Sequence, residues 1–120
     1  MEMKSVLVVE DDESMLEFCA TVLALEGYQV TAVSNSQQAV EQIDTATFDL
    51  VLTDHVKVGP EARSMTELIK RHQPKARVIV MSGMPSTHDA VTCYLSGASD
   101  YLVKPFTLDQ FRTAVRRCLK

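Results

Sequence analysis

The sequence predicts a single α/β domain in which five parallel strands alternate with five helices. Three observations carry this. Short β-branched and apolar runs recur at Ser5–Val9, Tyr28–Val33, Phe48–Asp54, Arg77–Met81 and Asp100–Val103. After each comes a stretch with apolar residues at helical spacing, and such alternation gives a parallel sheet with right-handed crossovers and helices on both faces. Several runs also end abruptly in a carboxylate, a hydroxyl or an ammonium group, and open α/β sheets place their ligand sites at the carboxyl ends of strands.

The elements follow in order. Ser5–Val9 runs into Glu10-Asp11-Asp12-Glu13, an acidic turn and the acidic first turn of a helix that continues to about Glu26 and stops at Gly27. The second strand follows, then a helix capped by Asn35 or Ser36 that carries Ala39, Val40 and Ile43. Phe48–Asp54 is an apolar run short enough for a strand buried on both faces. His55–Pro60 reads as a loop by its Gly-Pro pair; the next helix holds Met65, Leu68 and Ile69, starts late by the capping-box spacing of Ser64 and Glu67, and ends at Gln73-Pro74. Arg77–Met81 stops at Ser82-Gly83, and a helix from about Ser86 to Ser96 is closed by Gly97. Asp100–Val103 ends in Lys104-Pro105, and the last helix opens with the capping box Thr107-x-x-Gln110 and carries Phe111, Ala114, Val115 and Cys118. No repeat, low-complexity tract or linker interrupts this, so one domain over residues 1–120 with no output domain is expected.

Composition narrows the function. With 46% hydrophobic and 23% charged residues in 120, the chain has a globular balance and the length for one core without disulfide or metal staples. No apolar stretch approaches the roughly 18 residues of a membrane span, and Met1–Lys4 is too short for a signal peptide's regions, so a cytoplasmic protein with no membrane partner is expected. A net charge of −4 argues against direct nucleic-acid binding. The basic cluster Arg112, Arg116, Arg117 and Lys120 fits the preference of cations for the last turns of a helix. Cys19, Cys93 and Cys118 include no C-x-x-C and read as reduced thiols on apolar helix faces.

In a parallel sheet the strand ends share one edge. Glu10, Asp11, Asp54, Ser82 and Lys104 therefore converge. Three carboxylates at close range repel unless a cation offsets them; Lys104 supplies part of that charge and a hard divalent ion such as Mg²⁺ more. A carboxylate such as Asp54 can act as a nucleophile on phosphorus, with the metal, Lys104, the Ser82 hydroxyl and backbone N–H groups receiving the phosphoryl oxygens. Taken singly, each residue has an ordinary explanation as helix charge, turn residue or solvated strand end. Their joint occurrence at four strand ends favours the phosphoryl site.

At this point the sequence resembles the receiver (CheY-like) domain of two-component response regulators over nearly all its length. The resemblance is carried by Val6–Glu13, Phe48–Asp54, Val78–Gly83 and Gly97–Phe106. It implies a flavodoxin-like (βα)5 three-layer sandwich with sheet order 2-1-3-4-5. It implies that Asp54 accepts a phosphoryl group from the phosphohistidine of a sensor histidine kinase or histidine phosphotransfer protein. Glu10, Asp11, Asp54 and the backbone carbonyl of Val56 would hold Mg²⁺. Ser82 and Lys104 would contact the phosphoryl oxygens, Tyr101 would be an aromatic switch coupled to Ser82, and Lys104-Pro105 would be a cis peptide bond. The fourth helix, fifth strand and fifth helix would face a downstream target, with a homodimer left open. The domain would catalyse its own phosphorylation and dephosphorylation, with no other enzyme activity.

One segment departs from the family. Its members usually carry a Met-Pro pair soon after the phosphoacceptor and a Gly later; here residues 56–62 read Val-Lys-Val-Gly-Pro-Glu-Ala, which leaves the conformation of 55–62 open. Val56 and Met84, two residues beyond Asp54 and Ser82, are apolar where family members can carry groups that assist the hydrolytic water, so a long-lived phosphoryl group is expected. Three other readings explain less of the sequence. A receiver-fold interaction module acting without phosphorylation leaves the acids, Ser82 and Lys104 unexplained. A Mg²⁺-dependent phosphatase commonly needs a second acid close behind its nucleophile, and residues 55–60 contain none. A flavin-binding module would want a Gly- or Ser/Thr-rich first turn, not an acidic one.

Overall fold

The computed structural model describes residues 3–54, 57–58, 63–83 and 87–119. The central sheet consists of β1 (Ser5–Val9), β2 (Gln29–Val33), β3 (Leu50–Asp54), β4 (Arg77–Ser82) and β5 (Asp100–Val103), all parallel, in the order β2-β1-β3-β4-β5. Five helices connect or follow these strands: α1 (Glu13–Leu25), α2 (Ser36–Thr45), α3 (Met65–His72), α4 (Thr87–Leu95) and α5 (Leu108–Cys118). The expected α/β fold and sheet order are therefore present, and Lys104-Pro105 is cis.

Alternation along the strands divides the core in two, because successive side chains point to opposite faces. Leu7, Val9, Val51, Val78 and Val80 meet Ala39 and Ile43 of α2, Met65 and Ile69 of α3 and Cys93 of α4. Val6, Val8, Leu50, Leu52, Ile79 and Met81 point the other way, onto Cys19 and Leu23 of α1 and Phe111, Ala114 and Val115 of α5. The sheet is thus covered on both sides, which explains why its strands read as continuous apolar runs.

The helix limits follow local chemistry. Asp12 caps α1 through Met15 N–H (3.1 Å), and Asn35, one of the two anticipated residues, caps α2 through Gln38 N–H (2.8 Å). The Thr107–Gln110 capping box is complete in both directions, at 2.8 and 3.0 Å. Gly27 and Gly97 adopt φ of 93° and 109°, the left-handed region that closes a helix and that other residues enter at a cost. At Gly97 a Cβ would also come within 2.9 Å of Lys70 Cγ.

The segment after β3 is more ordered than a plain loop. Lys57–Val58 and Arg63–Ser64 pair as a two-stranded antiparallel ribbon, with Lys57 opposite Ser64 and Val58 opposite Arg63. The loop reading of His55–Pro60 therefore needs correction at residues 57 and 58; the rest of that stretch lies outside the described residues. Helix α3 begins directly after the ribbon at Met65, as the spacing of Ser64 and Glu67 anticipated. Cys19 and Cys93 are buried and Cys118 half-buried, all as free thiols. Among the described residues no helix is long and apolar enough to cross a membrane.

A side chain that the sequence marks only as a helix end ties the lower edge together. Gln73 accepts from Phe48 N–H at 2.9 Å and donates to the carbonyls of Ile43 and Ala46 at 2.9 and 2.7 Å. It fixes the end of α2 and the entry to β3 at once. Gln73→Ala leaves three backbone groups without these partners and should cost about 1–3 kcal/mol of stability, seen as a lower urea midpoint with an unchanged slope.

Candidate functional site

The site grows from the upper ends of β1, β3, β4 and β5. Val9 pairs with Thr53, so Glu10 and Asp54 leave adjacent strands at the same level. Asp54 in turn pairs with Met81 and Ser82 with Val103, which brings Ser82 and Lys104 to the same edge. The backbone reinforces this, since Lys104 N–H donates to the Ser82 carbonyl at 2.8 Å. Thr53, fully buried behind the acid, donates its hydroxyl to the Asp54 carbonyl at 3.0 Å.

Lys104 is the centre of the charge arrangement. Its Nζ donates to Asp54 Oδ1 at 2.8 Å and makes a short bond to Glu10 Oε1. Asp11 N–H donates to Asp54 Oδ2 at 3.4 Å, and Asp12 N–H donates to Glu10 Oε2 at 3.1 Å. Asp12 thus serves twice, as the α1 cap and as a donor to the site. Burial lowers the affinity of Lys104 for its proton, but the hydrogen bonds it donates to Asp54 and Glu10, with their negative charge, outweigh this and hold the ammonium above its ordinary value of 10.5. Burial of Glu10, which is 1% exposed, pushes its carboxyl from 4.5 to about 7; Lys104 and Asp12 N–H pull it down, and the nearby Asp54 adds to the rise.

The acids also cluster with the donor chemistry that a divalent cation takes. Glu10, Asp11 and Asp54 each offer a carboxylate oxygen, all within 4.8 Å of one another, with Glu10 buried and Asp11 exposed. An all-oxygen set of this kind, open on one side to water, fits Mg²⁺. The expected fourth ligand, the carbonyl of Val56, and the rim residue Met84 lie outside the described residues. Ser82 is 7% exposed and Tyr101 half-buried; the Tyr101 ring packs on the α2–α4 side of the core with its hydroxyl buried and lacking a hydrogen-bond partner.

Residues 6–116 match the response regulator receiver domain family. The chain belongs to that family. It is a phosphoacceptor signalling domain of the two-component type, and neither the phosphorylation-independent nor the phosphatase reading is favoured. Among curated relatives, the transcription factor SKN7 of Candida albicans is 36% identical over 104 residues, covering 87% of this chain and 19% of its own length. The transcriptional regulatory protein ZraR of Klebsiella oxytoca is 33% identical over 118 residues, covering 98% of this chain and 27% of its own. The receiver therefore spans about a fifth to a quarter of these relatives. A CheY-like receiver structure from Methanospirillum hungatei superposes with a TM-score of 0.87 at 25% identity, covering 98% and 94% of the two chains. A response regulator from Burkholderia pseudomallei, crystallised with a phosphorylated aspartic acid and a calcium ion, has a TM-score of 0.80 at 28% identity and coverage of 92% and 65%.

Two outcomes follow from this receiver's electrostatics. Because Glu10 binds its proton more tightly in the folded chain, the folded state carries more protons than the unfolded between the two pKa values. Stability without divalent ions should therefore fall as pH rises from 4.5 toward about 7, and thermal melts across that window, repeated with Glu10→Gln, should show the dependence flattened in the variant. Within the core, Tyr101→Phe removes an unpaired buried hydroxyl and should raise stability by about 1 kcal/mol, read from urea unfolding.

Proposed function

We propose that Asp54 is the phosphoacceptor of this receiver and that Glu10, Asp11, Ser82, Tyr101 and Lys104 serve it in distinct roles. The observation carrying this is the Lys104 ammonium bridging Glu10 and Asp54 beside a third carboxylate. A phosphohistidine on a sensor kinase or phosphotransfer protein presents its phosphorus to an Asp54 carboxylate oxygen. The new P–O bond forms as the P–N bond breaks, and the imidazole nitrogen leaves with the electron pair. Glu10, Asp11 and Asp54, with the Val56 carbonyl, would hold Mg²⁺, which when bound neutralises charge on the phosphoryl oxygens. Lys104 adds a fixed positive charge on the other side, and Ser82 a hydroxyl donor. These groups make the domain catalyse its own phosphorylation and dephosphorylation. The phosphorylated aspartic acid and calcium ion of the Burkholderia relative support both the acceptor and the divalent ion.

Readout then runs through Ser82 and Tyr101. Drawing Ser82 toward the phosphoryl group frees space into which the Tyr101 ring turns, shifting an equilibrium that exists before phosphorylation. The active surface is the one that α4, β5 and α5 form together. Val91, Tyr94 and Leu95 of α4, Val103 of β5 and Leu108 of α5 are large apolar side chains left exposed there. Beside them a groove of about 620 Å³ runs between β5 and α5, lined in part by Leu102, Pro105, Phe106 and Ala114. A downstream protein or domain, or a second receiver, would cover it.

Acetyl phosphate with Mg²⁺ should add one phosphoryl mass to the wild type and none to Asp54→Asn, by intact-protein mass spectrometry. An unmodified wild type under these conditions would return the domain to a phosphorylation-independent role. With apolar Val56 and Met84 two positions beyond Asp54 and Ser82 in the sequence, the phosphoryl group should persist for many minutes after removal of the donor; decay within seconds would sink that expectation.

A further inference from the structure

At the end of the sheet away from Asp54, a charge cluster plays no part in phosphoryl chemistry. Glu26, the residue that ends α1, has a side chain only 18% exposed. Its carboxylate accepts from Arg116 Nη2 at 2.9 and 3.0 Å, and Arg112 Nε lies 2.8 Å from Oε1. The Arg112 Nε–H does not point along that line, so Arg112 contributes its charge and Arg116 the aligned bonds. Both arginines belong to α5, one turn apart, with Leu23 and Tyr28 packed beside Phe111 and Val115 beneath them. The hydrogen bond from Arg116 holds the Glu26 carboxyl below its ordinary 4.5, so it is ionised at neutral pH.

The other half of α5 is fastened as well. Phe111 lies with Phe18 of α1 and with Phe106 at ring separations of 5.6 Å, and Phe111, Ala114 and Val115 are buried. Helix α4 is the opposite case: of its described side chains, residues 90–95, only Cys93 is buried, and Val91, Tyr94 and Leu95 are at least 49% exposed. Yet α5 starts only four residues after Lys104, so any pull on the lysine is passed along a short tether into that helix.

We infer that Glu26, Arg112 and Arg116 lock α5 to α1 in both signalling states, so that α4 moves against a stationary α5. The second half of this statement rests on Asp54 being the phosphoacceptor; the lock itself does not. Hydrogen exchange of the backbone amides, with and without beryllofluoride and Mg²⁺, tests both. In the wild type, exchange in α4 should change on adding beryllofluoride while residues 111–118 stay the same. Glu26→Gln should speed exchange in α5 by roughly threefold or more without any ligand and make it sensitive to beryllofluoride. Wild-type α5 responding as strongly as α4, or unchanged α5 exchange in Glu26→Gln, would overturn the inference. If beryllofluoride alters no amide in the wild type, the phosphoacceptor reading and the stationary-α5 claim fall together. The lock then stands or falls on the ligand-free comparison.

Discussion

The Lys104 ammonium, set between Glu10 and Asp54, is the contact on which the upper edge of this receiver depends. Glu10 is buried and Asp54 nearly so, and two carboxylates that close, without a countercharge, would push one another toward protonation or out into water. The countercharge comes from β5, which stands two strands from β3. Two strand spacings amount to about 10 Å, a gap that calls for a long, flexible cationic arm crossing above β4. The arm passes close over the end of β4, where a Cβ on Gly83 would lie in ordinary van der Waals contact with Lys104 Cβ at 3.9 Å. Sheet order and the length of lysine are thus one constraint.

Much of this was legible in the amino-acid sequence because the relevant cues are local. Strand ends at Glu10, Asp54, Ser82 and Lys104 show as abrupt changes from apolar to polar, and Thr107 with Gln110 states its own cap. What escaped notice depends on distant partners. Gln73 reads as a helix terminator, yet it works on backbone groups of Ile43, Ala46 and Phe48. Arg112 and Arg116 read as cations suited to a helix end, whereas they meet a glutamate some 90 positions earlier. The ribbon at 57–58 and 63–64 needs two short segments separated in sequence to align, and no periodicity announces a pairing two residues long.

The unusual segment after Asp54 changes less than its sequence suggested. After Asp54 the chain pairs Lys57–Val58 with Arg63–Ser64 and then enters α3 directly. Asp54 is in register with Met81, and its carbonyl accepts from the buried Thr53 hydroxyl. The groups behind the acid are thus held by the sheet itself.

The partition of the core by the sheet has a consequence for how such a domain can evolve. Tyr101 packs with the cluster formed by α2, α3 and α4, whereas Phe111, Leu23 and Cys19 belong to the cluster under α1 and α5. Substitutions on the two sides share few neighbours, and effects at separated sites tend to add. A lineage could gain or lose thermal resistance by repacking the α1–α5 side while its signalling balance stayed constant. It could equally retune that balance from the other side at constant robustness. One sheet gives natural selection two nearly independent dials.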